Sequence, residues 1–169
     1  MDDFVKQQFI ETWGTMGSYW GINSSVARVH AILIVSEKPL SLDDVAEQLN
    51  ISKGNASMCL KELRSWKVIT KVSFPGDRKD YYSSLNDIWK MFFLIARERK
   101  KREFDPAMEI LEKVISQQNP EEENMVIHRL NQMLELLKIL DVLSARFLQN
   151  DEEAKATLLL ATNIPFGTE

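Results

Sequence analysis

Apolar residues recur every three or four positions along most of this chain, the spacing of one face of an α-helix. A first helix is predicted over residues 3–18, and Gly17 and Gly21 are expected to end it. A second is predicted to begin with a cap among residues 23–25 (Asn-Ser-Ser) and to stop before Pro39. The apolar positions of the first helix are Phe4, Phe9, Ile10, Trp13 and Met16.

Two short capped helices are predicted next. Ser41 and Asp44 have the spacing of a capping box at the start of a helix that runs to about residue 49. After a turn at residues 50–51, a second helix is predicted over 52–66, with its serine as the cap. The residues of this second helix that are expected to be buried are Ala56, Leu60 and Leu63, with Cys59 at the edge of that face.

Strand-forming residues on both sides of a Pro-Gly pair predict a β-hairpin over 68–74 and 81–86. Beyond the hairpin, a long helix is predicted over 87–117, with a kink or break near Phe104-Asp105 because Pro106 lies inside it. A leucine-rich helix with its cap at Asn119 is expected to reach about residue 149. A last short helix is expected at about 151–162. The fold class is therefore mainly α with a small β-hairpin.

Charge is distributed unevenly along the 169 residues. The formal net charge is −4, but residues 52–80 hold seven Lys and Arg against three Asp and Glu. Because local charge decides whether a surface attracts phosphate, this one positive segment is the candidate nucleic-acid surface. It ends at the hairpin tip, where four charged residues stand in a row: Asp77, Arg78, Lys79 and Asp80.

Several classes of protein find no support in the sequence. No apolar run approaches the roughly 18 residues of a membrane helix, the acidic start does not resemble a secretory signal, and one cysteine allows no internal disulfide. A cytoplasmic protein without a membrane partner is expected. His30 and His128 are isolated, and there is no nucleophile motif or Gly-rich phosphate loop, so no enzyme, metal or cofactor is predicted. Cys59 is interpreted as a packing residue, with a redox switch as the alternative.

The two capped helices and the hairpin together match a winged helix–turn–helix, whose second helix exposes one face to the major groove of DNA. Polar side chains on that face can hydrogen-bond phosphates or base edges, lysines supply charge, and a glycine permits a close approach to the backbone. The exposed candidates are Ser52, Lys53, Gly54, Asn55, Ser57, Met58 and Lys61. The alternatives are an ordinary solvated helix or a winged-helix module that binds protein and not DNA.

The motifs "SKGNAS" and "PGDRKDYY", within residues 40–89, resemble the DNA-binding domain of the GbsR-type branch of the MarR superfamily of transcriptional regulators. The resemblance implies a dimeric winged-helix transcription factor, with residues 52–57 at the start of the recognition helix. It implies that Arg78 enters the minor groove and that Asp77 or Asp80 orients it. Lys79 is the candidate for a phosphate contact.

One position departs from the family pattern. The family usually has a glycine after the recognition helix, and this chain has Lys67. A left-handed lysine costs on the order of 1 kcal/mol, so the helix is predicted to end differently here.

The flanking helices carry more apolar surface than the winged domain is expected to cover. The predicted division is a dimerisation helix at 1–21, a DNA-binding domain at 22–88 and a helical dimerisation region at 89–169. A homodimer would place two recognition helices about 34 Å apart, one turn of DNA. The alternative is a monomer whose terminal helices cover its own core. The predicted function is a sequence-specific, homodimeric repressor that binds double-stranded DNA.

Two further features carry hypotheses. Some GbsR-type regulators sense choline or related osmolytes, and aromatic faces bind quaternary ammonium, so an aromatic effector pocket is one interpretation and ordinary core the other. The basic run 97–102 is either a solvated helix face or a second phosphate contact. The aromatic candidates for the pocket are Trp13, Tyr19, Trp20, Trp89, Phe92 and Phe93.

Overall fold

Helices and one small sheet make up the computed structural model, which describes residues 2–117 and 125–162. The chain divides into two units, Met1–Met91 and Phe92–Glu169. The predicted cap at Asn119, the acidic first turn that follows it and the tail after residue 162 lie outside the described residues. The division between the units follows Met91, and the predicted domain boundary at residues 88–89 stays a prediction.

The first unit contains the winged helix–turn–helix that the sequence predicts. Its three strands form an antiparallel sheet in the order β1-β3-β2, with Leu40 opposite Tyr82 and Ile69 opposite Ser84. The short strand β1 was not predicted. The elements are α1 (Asp3–Tyr19), α2 (Ser24–Ile34), β1 (Leu40–Ser41), α3 (Leu42–Gln48), α4 (Lys53–Ser65), β2 (Ile69–Val72) and β3 (Tyr81–Ser84), followed by α5 (Ile88–Arg99), which continues into the second unit.

The core of the first unit lies where α2 and α3 pack against α4. Burial of aliphatic side chains between α2, α3 and α4 drives the association of the three helices. Their contacts hold α4 by one face and leave the opposite face exposed. The largest fully buried side chains of this unit are Val29, Val45, Leu60, Leu63 and Val68.

Glycines let α1 pack closely on α2. A Cβ built on Gly17 would lie 2.5 Å from the Cβ of Ala27, and one on Gly14 would lie 2.6 Å from Cγ of Arg28. The prediction that Gly17 ends α1 is therefore wrong, because this residue is buried inside the helix and removes a steric barrier. Gly21 does terminate α1, with a left-handed φ of 76°.

A buried histidine lies in the interior of α2. His30 is 2% exposed, its ring lies edge-on to Trp13 at 6.4 Å between ring centroids, and its Nε2 has no hydrogen-bond partner in the described residues. Burial lowers the pKa of His30 from 6.5 to about 4, because the imidazolium would lose its hydration. The imidazole is therefore neutral near pH 7.

The second unit is helical in its described part and contains a π-helical segment. Lys100–Phe104 forms this segment between α5 and α6 (Asp105–Ser116), and the Asp105 N–H donates to the carbonyl of Lys100. The predicted kink or break near Phe104-Asp105 falls at this π-helical segment, through which the helix continues without ending. The remaining helices are α7 (Met125–Phe147) and α8 (Asp151–Thr162).

Ion pairs occupy most of the basic run 97–102. The Arg97 guanidinium donates to the carbonyl of Leu148 and pairs with Asp151, while Lys100 Nζ lies 2.6 Å from carboxylate oxygens of both Asp105 and Asp141. These contacts join helices within the second unit. They favour a structural role for the run over a second phosphate contact.

No helix in the described ranges combines the length and apolarity needed to cross a bilayer.

The buried imidazole predicts a loss of stability in acid. Between pH 6.5 and 4 the unfolded state binds more protons at His30 than the folded state, so the free energy of unfolding falls as pH is lowered through this window. The expected loss from this group is about 3 kcal/mol, measured by urea unfolding at a series of pH values.

Two variants isolate this effect. His30→Leu should remove that part of the pH dependence, whereas replacement of the exposed His128 by Gln should retain it. If the free energies of unfolding of wild type and His30→Leu fell by the same amount between pH 6.5 and 4, His30 would not be the source of the pH dependence.

Candidate nucleic-acid interface

The turn between α3 and α4 is built from local hydrogen bonds. At the start of α3, Ser41 Oγ accepts from the Asp44 N–H and the Ser41 N–H donates to Asp44 Oδ2, so the predicted capping box is confirmed. At its end, Asn50 is left-handed at φ 50°, and the N–H groups of Asn50 and Ile51 donate to carbonyls of α3. This is a Schellman motif, and it allows Ser52 to cap α4 immediately.

Helix α4 presents a small, polar and cationic face to solvent. Ala56, Cys59, Leu60 and Leu63 are buried beneath it, as predicted apart from the deeper position of the cysteine. Met58 is 71% exposed. A Cβ on Gly54 would meet nothing closer than Ser52 Oγ at 3.9 Å, so packing within the chain does not require glycine there. The exposed residues of the face are Ser52, Lys53, Gly54, Ser57, Met58 and Lys61.

Asn55 does not point outward as predicted. Its side-chain amide donates to Ser25 Oγ at 3.4 Å, and its Oδ1 accepts from Cys59 Sγ at 3.5 Å. Asn55 therefore connects α4 to α2, because a half-buried amide needs partners. Burial raises the pKa of the Cys59 thiol, which keeps it protonated and agrees with the packing interpretation.

The end of α4 follows the glycine pattern although glycine is absent. Lys67 is left-handed at φ 62°, its N–H donates to the carbonyl of Arg64, and the Val68 N–H donates to that of Leu63. The predicted change at this end of the helix is wrong. Packing of Val68, which is fully buried, holds the chain in this path despite the backbone strain of a left-handed lysine.

The wing between β2 and β3 is ordered by Asp77. The Asp77 N–H donates to the carbonyl of Phe74 across Pro75-Gly76, where Gly76 has φ 82°. The Asp77 carboxylate accepts from the Lys79 N–H at 2.9 Å and from the Tyr81 hydroxyl at 2.7 Å. These two hydrogen bonds, that from the Lys79 N–H contributing more, lower the pKa of Asp77.

Neither wing aspartate orients Arg78 as predicted. Asp77 uses its carboxylate on the backbone of the turn and on Tyr81, and Asp80 pairs with Lys71 of β2 at 2.8 Å. Both carboxylates therefore hold the wing, and the Arg78 guanidinium makes no ion pair with either. Arg78 is exposed at the tip.

An aspartate at the start of α3 connects the recognition helix to the wing. Lys53 Nζ lies 2.6 Å from Asp43 Oδ1, and Lys79 Nζ lies 3.6 Å from Asp43 Oδ2. The hydrogen bond from Lys53 lowers the pKa of Asp43 and raises that of Lys53. This bridge was not predictable from the sequence, because its members are far apart along the chain.

The aromatic candidates for an effector pocket have differing environments. Trp13 is half-buried and stacks on Phe9 at 5.6 Å between centroids, whereas Tyr19 is 82% exposed. In the second unit, the fully buried Phe93 contacts Phe92 and Phe147. Trp13 and Phe93 thus already serve as packing residues, while Trp20 is exposed and Trp89 half-buried. The shared pocket remains a prediction.

In the part of the chain that the structure describes, no three metal-ligating side chains converge.

Comparison with known proteins finds similarity to regulators. The chain is 29% identical over 91 residues to the putative HTH-type transcriptional regulator YvaV of Bacillus subtilis, covering 54% of this chain and 51% of that protein. It is 28% identical over 90 residues to the HTH-type transcriptional repressor OpcR of the same organism, covering 53% and 49%. The chain thus spans about half the length of the curated relatives it matches. No family model matches it.

Among solved structures, a crystal structure described as that of a transcriptional regulator aligns with a TM-score of 0.62 at 18% identity, over 85% of this chain and 95% of the other. At this identity the similarity confirms the fold alone, a winged helix–turn–helix with flanking helices.

The left-handed lysine predicts a stabilising substitution. Lys67→Gly should raise the free energy of unfolding by about 0.5–1 kcal/mol, because the relief of strain exceeds the added flexibility of glycine in the unfolded chain. Arg64→Gly, in the last turn of α4, should lower it by about 1 kcal/mol. Urea unfolding measures both, and a destabilised Lys67→Gly protein would refute the strain at this residue.

Proposed function

We propose that the chain is a sequence-specific transcriptional regulator that binds double-stranded DNA as a homodimer and acts as a repressor. In each protomer α4 enters the major groove and the wing, residues 75–80, enters the adjacent minor groove. The similarity to two HTH-type regulators supports this function.

The observation that carries the proposal is the shared position of two lysines. Lys53 begins α4 and Lys79 lies on the wing, yet both ammonium groups lie within 3.6 Å of the single carboxylate of Asp43. The recognition helix and the wing therefore present their cations on one surface. Two elements that carry cations side by side can grip a phosphate backbone at two points.

The first turn of α4 suits contact with DNA. A Cβ on Gly54 would make only an ordinary contact with Ser52 Oγ, so a side chain would fit within the protein, and its absence permits the close approach of a sugar-phosphate backbone. Ser57 and Lys61 supply hydrogen bonds on the same exposed face, and Met58 supplies an apolar contact for thymine methyl groups. Asn55 contributes indirectly, because it positions α4 on α2.

Arg78 is the proposed minor-groove contact. It is exposed at the tip of a turn that Asp77 and Tyr81 hold in place, so the backbone that carries it is ordered while its guanidinium is available. Arginine is favoured in a narrow minor groove because the negative potential is strongest there. Lys79 is the proposed phosphate contact beside it.

Exposed apolar side chains support dimerisation. Helix α7 exposes Met133, Leu136, Ile139 and Leu143 to between 52% and 56%. A contiguous apolar surface of this kind is typical of protein–protein interfaces. In the first unit, α1 already packs on α2, so its share of a dimer interface is limited to residues that remain exposed, such as Phe4 at 72%.

We infer membership of the GbsR-type branch of the MarR superfamily from "SKGNAS" and "PGDRKDYY". An effector is proposed with it, a quaternary ammonium osmolyte that acts by favouring one dimer geometry over another. The rings of Tyr19 and Trp20 are the candidates to contact the effector, because both are exposed.

The alternative is a winged-helix module that binds a protein and not DNA. Such a surface should be apolar, and α4 exposes polar and cationic residues with Met58 as the exception among its large side chains. The composition of the face therefore favours DNA.

Selection of bound duplexes from a random pool tests the function. We expect enrichment of a two-fold symmetric sequence whose half-sites lie about one helical turn apart. If the dimer contacts about eight phosphates, the logarithm of affinity should fall with the logarithm of salt concentration with a slope near −7. No enrichment would contradict DNA recognition, and an unpaired half-site would contradict the dimer.

The Arg78→Ala variant tests the wing. We expect it to weaken binding to the selected duplex by about 1–3 kcal/mol without changing the free energy of unfolding. The matched control is Lys113→Ala, which removes the same charge from α6 and should leave affinity almost unchanged. Equal affinities for wild type and Arg78→Ala would remove the wing from the mechanism.

A further inference from the structure

We propose that Asp43 is an internal competitor of the DNA backbone, which occupies Lys53 and Lys79 in the free protein and thereby lowers affinity for every DNA sequence. This inference rests on the proposed function. Its basis is the bridge between α3, the start of α4 and the wing tip.

The geometry of the bridge resembles a phosphate contact. Each oxygen of the Asp43 carboxylate faces a different lysine, Oδ1 that of α4 and Oδ2 that of the wing. A phosphate group with two free oxygens could occupy the same place between the two ammonium groups. Carboxylate and phosphate therefore compete for the same donors.

Lys53 has a particular need for an anion. It is the first residue of α4, where the helix dipole and the free N–H groups disfavour a cation. Asp43 supplies the compensating charge in the free protein, and a phosphate would supply it in the complex. The raised pKa of Lys53 and the lowered pKa of Asp43 agree with this pairing.

The exchange is feasible because the bridge is exposed. The side chains of Lys53, Lys79 and Asp43 are 72%, 60% and 45% exposed, so each ion pair is weak and DNA can displace it. The wing has other supports in Asp77 and in the Asp80–Lys71 pair, so it stays ordered when Asp43 releases Lys79.

The Asp43→Asn variant tests this proposal, because it removes the charge and keeps the size of the side chain. We expect the variant to bind random-sequence DNA and the selected duplex about two- to ten-fold more tightly than wild type, by a similar factor for both. The gain should shrink as salt is raised, since exposed charges are screened.

The matched control is Glu47→Gln. It removes one negative charge from the same short helix, and the Glu47 side chain is exposed and takes part in no ion pair with Lys53 or Lys79. We expect less than a two-fold change in affinity. A gain equal to that of Asp43→Asn would refute the bridge, because net charge would then explain both.

A double-mutant cycle tests whether Asp43→Asn strengthens DNA binding by releasing Lys53 and Lys79. In a Lys53→Met, Lys79→Met background, Asp43→Asn should lose most of its effect, because the lysines are no longer present to be released. A gain that persists there would overturn the proposal in favour of direct repulsion between Asp43 and DNA.

The failures of the two proposals are distinguishable. If wild type and Asp43→Asn both fail to bind any duplex, the proposed function is wrong. If wild type binds and folded Asp43→Asn binds equally or more weakly, the competitor assignment is wrong, and weaker binding would make Asp43 a residue that arranges the lysines for DNA. Thermal unfolding of both proteins verifies that the variant is folded.

Discussion

The proposed DNA-binding surface depends on the two-residue turn between α3 and α4. Left-handed Asn50 returns two N–H groups to the end of α3, so the chain leaves one helix and enters the next without a loop. Ser52 then caps α4 at once, and this fixes which side chains of its first turn face solvent. A longer or looser connection would leave α4 free to rotate on the core. The hydrogen bonds of this turn thus determine which way the exposed face of α4 points, although that face itself makes few contacts within the protein.

Helices α1, α3 and α4 all end in the same hydrogen-bonded turn with a left-handed residue. That residue is Gly21 after α1, Asn50 after α3 and Lys67 after α4. Glycine adopts this conformation without strain, asparagine tolerates it, and lysine is held there by the burial of Val68. The burial of the following residue can therefore override the preference of the residue in the turn. That is why the presence of Lys67 misled the prediction for the end of α4.

Features set by neighbours in sequence were predictable. Apolar spacing and capping residues identified the helices of the winged domain, the capping box at Ser41, and the irregular helical segment before Pro106, because each depends on residues within one or two turns. Contacts between segments that are distant along the chain were not predictable from the sequence. The pairing of β1 with β3, the bond from Asn55 to Ser25 and the Asp43 bridge all join residues whose proximity exists only after folding. The polar face of α4 could thus be predicted, but not which of its residues bond to other parts of the protein, as Asn55 does to Ser25.

The π-helical turn at Lys100–Phe104 sets the rotation of α6 about its own axis. A π turn contains one residue more than the α turn it replaces, so the segment has the form of a single-residue insertion that the helix absorbed without breaking. Pro106 lowers the cost of that insertion, because it has no N–H group to lose from the helical register. The side chains on either side of the wide turn are offset by about 100° from the positions a continuous helix would give them. A chain shorter by this one residue would therefore direct a different face of α6 toward α7.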